Sequence, residues 1–219
     1  KDQVKGFDSY FDMGSHFKQI RNNKLNPNGL KLAFEGSHIS YDQYENMRKS
    51  FPNTLWENTS MILENLAAVK DNYELDCIRT AVEVTDKVYE EILPMLQPGY
   101  TEKEVANKMV SKYREYADGE AYSPIVATGP NGALPHAIPT DREFKEGDFI
   151  VIDAAAKYGG YHADMTRTPV VRKSSEKHEE VYEIVKEAQK RGCDIAKSGV
   201  PCKEVDFATR DYISKMGYG

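Results

Sequence analysis

Asp153 and Asp164 are the residues of this chain whose type and spacing point most directly to chemistry. Phe149 to Asp153 is rich in β-branched and aromatic residues, and a strand resumes over Tyr161 to Val171, after Tyr158-Gly159-Gly160. With a two-residue loop at Tyr158-Gly159, Asp153 stands directly opposite Asp164. Cross-strand partners have Cβ atoms roughly 4.5–5.5 Å apart, and like charges placed there are destabilising. An unpaired carboxylate is also costly in a segment apolar on both faces. Two acids in contact require a shared proton or a cation between them, and a pair of divalent ions about 3.5–4 Å apart suits the opening. The pattern leaves other arrangements open. The acids could cap turns at a sheet edge, or a slip of one residue could send them to opposite faces. A loop centred on Gly159-Gly160 would oppose Asp153 to Thr166 instead.

The elements that must position this pair follow from periodicity. A strand is expected over Leu30 to Phe34, then a helix capped by Ser40 with Tyr44, Met47 and Phe51 on one face and closed by Pro52-Asn53. From Asp71 a helical stripe runs through Leu75, Ile78, Val82, Thr85, Val88 or Tyr89, Ile92 and Leu96. Pro94 ends or kinks it. Thr101 to Glu104 is a capping box opening a helix through Val105, Met109, Tyr113 and Ala117. A strand over Tyr122 to Thr128 and a Gly- and Pro-rich loop over Gly129 to Pro139 lead into the aspartate hairpin. Two further helices are expected, from about Glu176 to Lys197 and from Lys203 to Met216. Tyr113 and Tyr116 read as helix-face packing. His16, His38 and His178 lack acidic partners at ligand spacing and read as surface residues.

A weak repeat joins the two helix pairs. Gly, Lys, Glu and Val recur between Gly99–Val105 and Gly199–Val205, offset by 100 residues. Two helices with similar caps would give the same match, since caps draw on few residue types. If the repeat is real, the second copy has its helices and no sheet before Gly219, and the chain is expected to be cut there. It also begins at Lys1 rather than Met, so the first residues of the gene product are expected to be absent.

A formal charge of −6 over 219 residues disfavours a general nucleic-acid binder, which needs a concentrated basic surface. No apolar run approaches the roughly 20 residues that span a bilayer. Cys77, Cys193 and Cys202 form no Cys-x-x-Cys pattern and read as reduced thiols of a cytoplasmic protein.

Three blocks resemble the creatinase, aminopeptidase P and prolidase family. They are Ala68-Val69-Lys70-Asp71-Asn72-Tyr73-Glu74-Leu75, the stretch from Ile125 to His136, and Gly147 to Thr168 with its eleven-residue aspartate spacing and Thr166-Arg167-Thr168 ending. The resemblance implies an α+β pita-bread fold, with the first half of the catalytic domain complete and the second half truncated. Residues 1–58 would be the remnant of an α/β N-terminal domain and residues 59–219 the N-terminal portion of the catalytic domain. It implies Asp153 and Asp164 as metal ligands, and His136 as the catalytic histidine that hydrogen-bonds substrate or the tetrahedral intermediate. By composition alone His136 is a solvated loop histidine. Tyr122 would be a site-lining, substrate-binding tyrosine. His162 shares the face of Asp164 and would be a neighbour of the site. Thr166, on the same face, could support a ligand carboxylate. Lys157 and Arg167 would lie on the other face.

The implied activity is hydrolysis of the bond preceding proline in a peptide with proline at its second position, as an Xaa-Pro aminopeptidase or dipeptidase. Two divalent ions would be the cofactor, Mn²⁺ or Co²⁺ with Zn²⁺ also compatible. A homodimer is expected, with no nucleic-acid or membrane partner. Two departures from the family pattern stand out. Ala155 replaces the usual glycine, and the family's remaining His and Glu ligands would lie beyond Gly219. They leave two rival readings: a metal-free peptide- or protein-binding module, and an inactive fragment that needs a partner segment.

Overall fold

The computed structural model describes Phe17, Gln19, Ile20 and residues 27–219. The expectation for His16 lies outside the described residues. Two compact units divide the chain, residues 1–70 and 71–219.

In the first unit Ser40 sets the helix boundary. Its Oγ accepts from the Gln43 N–H at 3.2 Å, and Gln43 Oε1 accepts from the Ser40 N–H at 2.7 Å. Two of the N–H groups that a helix start leaves unpaired are satisfied in this way. Strand β1 (Lys31–Phe34) precedes helix α1 (Tyr41–Ser50), and β2 (Leu55–Asn58) follows it. The strands pair in parallel from Lys31↔Leu55 to Phe34↔Asn58. Met47 and Phe51 are buried, and Tyr44 stacks on Phe34 with ring centroids 5.1 Å apart. The sequence reading found β1 and α1 but not β2 or the short helix α2 (Ile62–Ala67). β2 (Leu55-Trp56-Glu57-Asn58) and the six-residue α2 carry neither a clear period nor a capping residue with a side-chain bond to announce them.

The second unit begins at another capping box. Asp71 Oδ1 accepts from Glu74 N–H at 2.9 Å and Glu74 Oε2 from Asp71 N–H at 2.6 Å, opening α3 (Asn72–Ile92). A 3-10 turn at Leu93–Met95 ends the helix at Pro94. Thr101 and Glu104 close the next box and open α4 (Glu102–Tyr116). The expected face of α4 is the buried one: Val105, Met109 and Tyr113 are 0 % exposed.

The buried face of α3 differs from the expected one in its first half. Cys77 and Ala81 are buried there, whereas Leu75 and Val82 are exposed. Small side chains bring this helix against the sheet. The Thr85 hydroxyl donates to the Ala81 carbonyl at 2.7 Å and accepts from the Ala156 N–H at 2.9 Å. Apolar periodicity ranks Leu and Val above Ala, so the expected stripe takes in Leu75 and Val82 and passes over Cys77 and Ala81. Its members Thr85, Val88 and Ile92 are buried as expected.

After α4 come β3 (Gly119–Glu120), β4 (Ile125–Thr128), β5 (Ile150–Asp153), β6 (Ala156–Tyr158), β7 (Tyr161–His162) and β8 (Thr166–Arg167). They form two antiparallel three-stranded sheets, β4-β5-β8 and β3-β6-β7. One long hairpin supplies the last strands of both, with its tip in the second sheet and its arms in the first. Val126, Ile150 and Ile152 turn to the core, against Val88 and Ile92 of α3 and Val105, Met109 and Tyr113 of α4. Fully burying a side chain of this size contributes roughly 1.5–3 kcal/mol.

Helices α5 (Glu176–Ile195) and α6 (Cys202–Lys215) form an antiparallel pair. A Cβ on Gly192 would come within 2.8 Å of Thr209 Cγ2, so the glycine allows the close approach. Gly99 and Gly199 both have positive φ (+99° and +87°), and α4 and α6 begin at residues 102 and 202. The repeated motif thus marks the same turn in both helix pairs. His178, expected as a surface residue, instead closes the α5 capping box. Its Nδ1 accepts from the Ser175 N–H at 3.1 Å, and its ring packs edge-on against Phe149 at 4.6 Å.

Candidate metal and catalytic site

The hairpin carrying the aspartates turns at Gly159-Gly160, with φ of +58° and +85°. Both residues of such a two-residue turn need positive φ, which glycine adopts freely and tyrosine does not. The ladder therefore runs Tyr158↔Tyr161, Lys157↔His162, Ile152↔Arg167 and Asp153↔Thr166. Asp153 does not stand directly opposite Asp164, which corrects the first register considered. The open alternative, Asp153 against Thr166, is the one observed. The difference is two residues, and side chains alternate with period two, so Asp153 and Asp164 still share a face. They are diagonal neighbours.

Tyr122 joins them. Its hydroxyl lies 2.5 Å from Asp153 Oδ1 and 3.0 Å from Asp164 Oδ1. A phenol has one proton to donate, so it satisfies one carboxylate and leaves the second contact to another proton or a cation. Burial, reinforced by the two carboxylates, pushes the Tyr122 hydroxyl far above its ordinary pKa, which keeps it a neutral donor. Asp153 is half-buried and Asp164 exposed. Two carboxylates converging on one point, with too few protons to neutralise them, are a donor set suited to hard divalent cations. The residues present fit a metal on this observation.

Ala155 is buried in a cluster with Ala81 and Ala163, and Tyr122 packs against that cluster. The Ala155 methyl is taken up there. His162 and Thr166 are exposed on the hairpin, Thr166 across from Asp153. Arg167 is exposed across from Ile152, and Lys157 is half-buried.

His136 lies on the loop between β4 and β5 and is exposed. A 3-10 turn, Gly129–Ala133, starts this loop. A Cβ on Gly132 would come 3.3 Å from Val151 Cγ2. Val151 and Asp153 are two apart on β5 and face the same way, so the loop lies over the face that carries the aspartates.

Two charged residues fasten that loop, and the sequence reading assigned neither. Glu102 is 0 % exposed. Its carboxylate accepts from Thr128 N–H (2.7 Å), Thr140 N–H (2.9 Å), Thr140 Oγ1 (2.6 Å) and Asn131 Nδ2 (3.0 and 3.1 Å). Asp148 accepts from Arg142 Nη2 at 2.7 Å and from Thr128 Oγ1 at 3.1 Å. Only the position of Glu102 in the first turn of a capped helix was legible, and that suggests a solvated acid favoured by the helix dipole.

His38 also departs from expectation. Glu35, His38 and Glu64 bring ligand-type atoms within 4.8 Å of one another, so this histidine does have acidic neighbours.

The chain resembles proteins of known type over most of its length. The model of the metallopeptidase family M24 matches residues 76–219. An Xaa-Pro dipeptidase of Pyrococcus furiosus is 36 % identical over 189 residues, covering 86 % of this chain and 54 % of that protein. Among solved structures, an Xaa-Pro dipeptidase from Bacillus anthracis superposes with a TM-score of 0.86 at 34 % identity, over 95 % of this chain and 59 % of the other. An X-Pro aminopeptidase from Thermotoga maritima gives 0.85 at 33 %, over 92 % and 56 %. The chain thus spans little more than half the length of these relatives. Its mixed helix and strand architecture is that of the pita-bread fold. By the family match, which takes in both aspartates, His136 and Tyr122, the chain belongs to metallopeptidase family M24.

Proposed function

We propose that the protein to which these residues belong hydrolyses the peptide bond preceding proline, as an Xaa-Pro dipeptidase or aminopeptidase. The observation that carries this reading is the convergence of Asp153 and Asp164 on the Tyr122 hydroxyl within a chain of family M24. The names of its relatives support the choice of substrate.

In this reading Asp153 and Asp164 hold two divalent ions, Mn²⁺ or Co²⁺ before Zn²⁺. Such ions, when bound, acidify water and polarise the scissile carbonyl. His136 donates a hydrogen bond to the carbonyl oxygen as negative charge develops on it, a contribution worth about 10²–10³ in rate. Tyr122 lines the substrate side and orients the carboxylates. Residues 1–58 belong to a domain that precedes the catalytic one, and residues 59–219 form the N-terminal portion of the catalytic domain. Two carboxylates are an incomplete set for tight binding, so residues 1–219 alone are inactive and hold metal weakly. The protein is a cytoplasmic homodimer. The free thiols Cys77, Cys193 and Cys202 support the cytoplasmic part of that assignment.

The test is an assay of the complete, Mn²⁺-loaded protein on Ala-Pro, Ala-Pro-Ala and Ala-Ala-Ala. Cleavage of Ala-Pro, Ala-Pro-Ala or both, and not of Ala-Ala-Ala, is expected, with loss of activity in chelator. Equal rates on all three, or chelator-resistant cleavage, would overturn the proposal.

A further inference from the structure

We infer that Glu102 is the positioning residue of the loop that carries His136, acting through hydrogen bonds at both ends of that loop and in the 3-10 turn that starts it. Its contacts are with Thr128, the last residue of β4, with Asn131 in the 3-10 turn, and with Thr140, where the chain returns toward α4. Between these anchors Leu134, His136 and Ile138 are exposed, Ile138 to 82 %, and the one buried side chain is the small Ala137. A segment with so little buried side-chain surface has few contacts of its own to hold it, so its shape depends on its anchors.

A buried carboxylate is a costly way to fasten a loop unless every lone pair is used. Here both oxygens are used. Oε1 takes Thr128 N–H and Asn131 Nδ2, and Oε2 takes the Thr140 N–H, its hydroxyl and Asn131 Nδ2. Glutamine cannot substitute, because its amide nitrogen would face donors at one end of the loop or the other. Asp148 and Arg142 hold the same first anchor, Thr128, from its other side. Glu102 is what ties Thr128 to Thr140 across the loop.

The role given to His136 rests on the peptidase reading, whereas the clamp itself does not. The experiment uses the complete protein, with Glu102→Gln made alone and in a His136→Ala background. Peptide-level hydrogen exchange over residues 128–140 should rise at least tenfold in Glu102→Gln. The kcat for Ala-Pro cleavage should fall at least tenfold, with KM and metal content within twofold of wild type. In the His136→Ala background the same change should cost less than twofold, because residues that act through one another are not additive. Unchanged exchange would overturn the clamp. Equal losses in both backgrounds would overturn the positioning of His136. A wild-type protein that fails to cleave Xaa-Pro bonds refutes the proposed function, and the exchange arm still decides the clamp. Should Glu102→Gln not fold, Asn131→Ala removes one anchor and leaves the carboxylate in place, with the same pattern expected at smaller size.

Discussion

Tyr122 brings one hydroxyl proton to two carboxylate oxygens, at 2.5 and 3.0 Å. Removing that hydroxyl as Tyr122→Phe should leave Asp153 and Asp164 facing each other with nothing between them. A net hydrogen bond to a charged group is worth about 1.5–3 kcal/mol, less where one partner is exposed as Asp164 is. The metal-free variant should therefore be about 1 kcal/mol less stable than wild type by urea denaturation, and excess divalent cation should recover part of the difference. An unchanged midpoint would show that the hydroxyl does not bind the pair. At this scale the sequence was partly legible. The aspartates were found from their spacing and from the cost of an unpaired acid, and a register error of two left both on one face. The contact of Tyr122 with both aspartates was not legible, because it joins residues 31 and 42 positions apart. Glu102 was missed for the same reason: its partners lie between 26 and 38 residues away.

Helix α3 and the hairpin meet at two polar points, one buried and one toward solvent. At the buried point Thr85 Oγ1 accepts from the Ala156 N–H. Thr85→Val keeps the shape and leaves that N–H without its acceptor, a loss of about 1–3 kcal/mol. Thr85→Ser should restore most of the stability, and equal stability of the valine and serine variants would contradict the bond. At the second point Tyr161 donates to Glu74 Oε1 at 2.7 Å. That bond chiefly, with burial and the Glu74 charge behind it, pushes the Tyr161 hydroxyl up to about 12 from 10.0. The neutral phenol is the form favoured in the folded state. Its contribution is thus fully present below pH 10 and is lost as pH rises through about 12. Thermal melts between pH 10 and 12 should fall less steeply for Tyr161→Phe than for wild type. Parallel slopes would show that the bond does not couple to folding. Helix starts were well legible in the sequence because Ser40, Asp71 and Thr101 declare them locally. The first half of the buried stripe of α3 was not, because Cys77 and Ala81 are buried by fitting closely against the hairpin rather than by hydrophobicity.

At the scale of the molecule, family M24 membership accounts for the order of elements in residues 76–219, and the positive-φ turns at Gly99 and Gly199 give its two helix pairs the same form. Those turns were legible because a glycine stands at the positive-φ position of each. The parallel β1–β2 pairing was not, since β2 carries no pattern before its partner is in place. Everything proposed about function turns on whether Asp153 and Asp164 hold metal. The most direct measurement is the metal content of the complete protein after loading with Mn²⁺ and desalting, by elemental analysis, for wild type, Asp153→Asn and Asp164→Asn. An amide oxygen is a neutral and weaker ligand than a carboxylate, so each variant should lose at least one ion per chain relative to wild type. Two ions per chain in either variant would contradict the assignment.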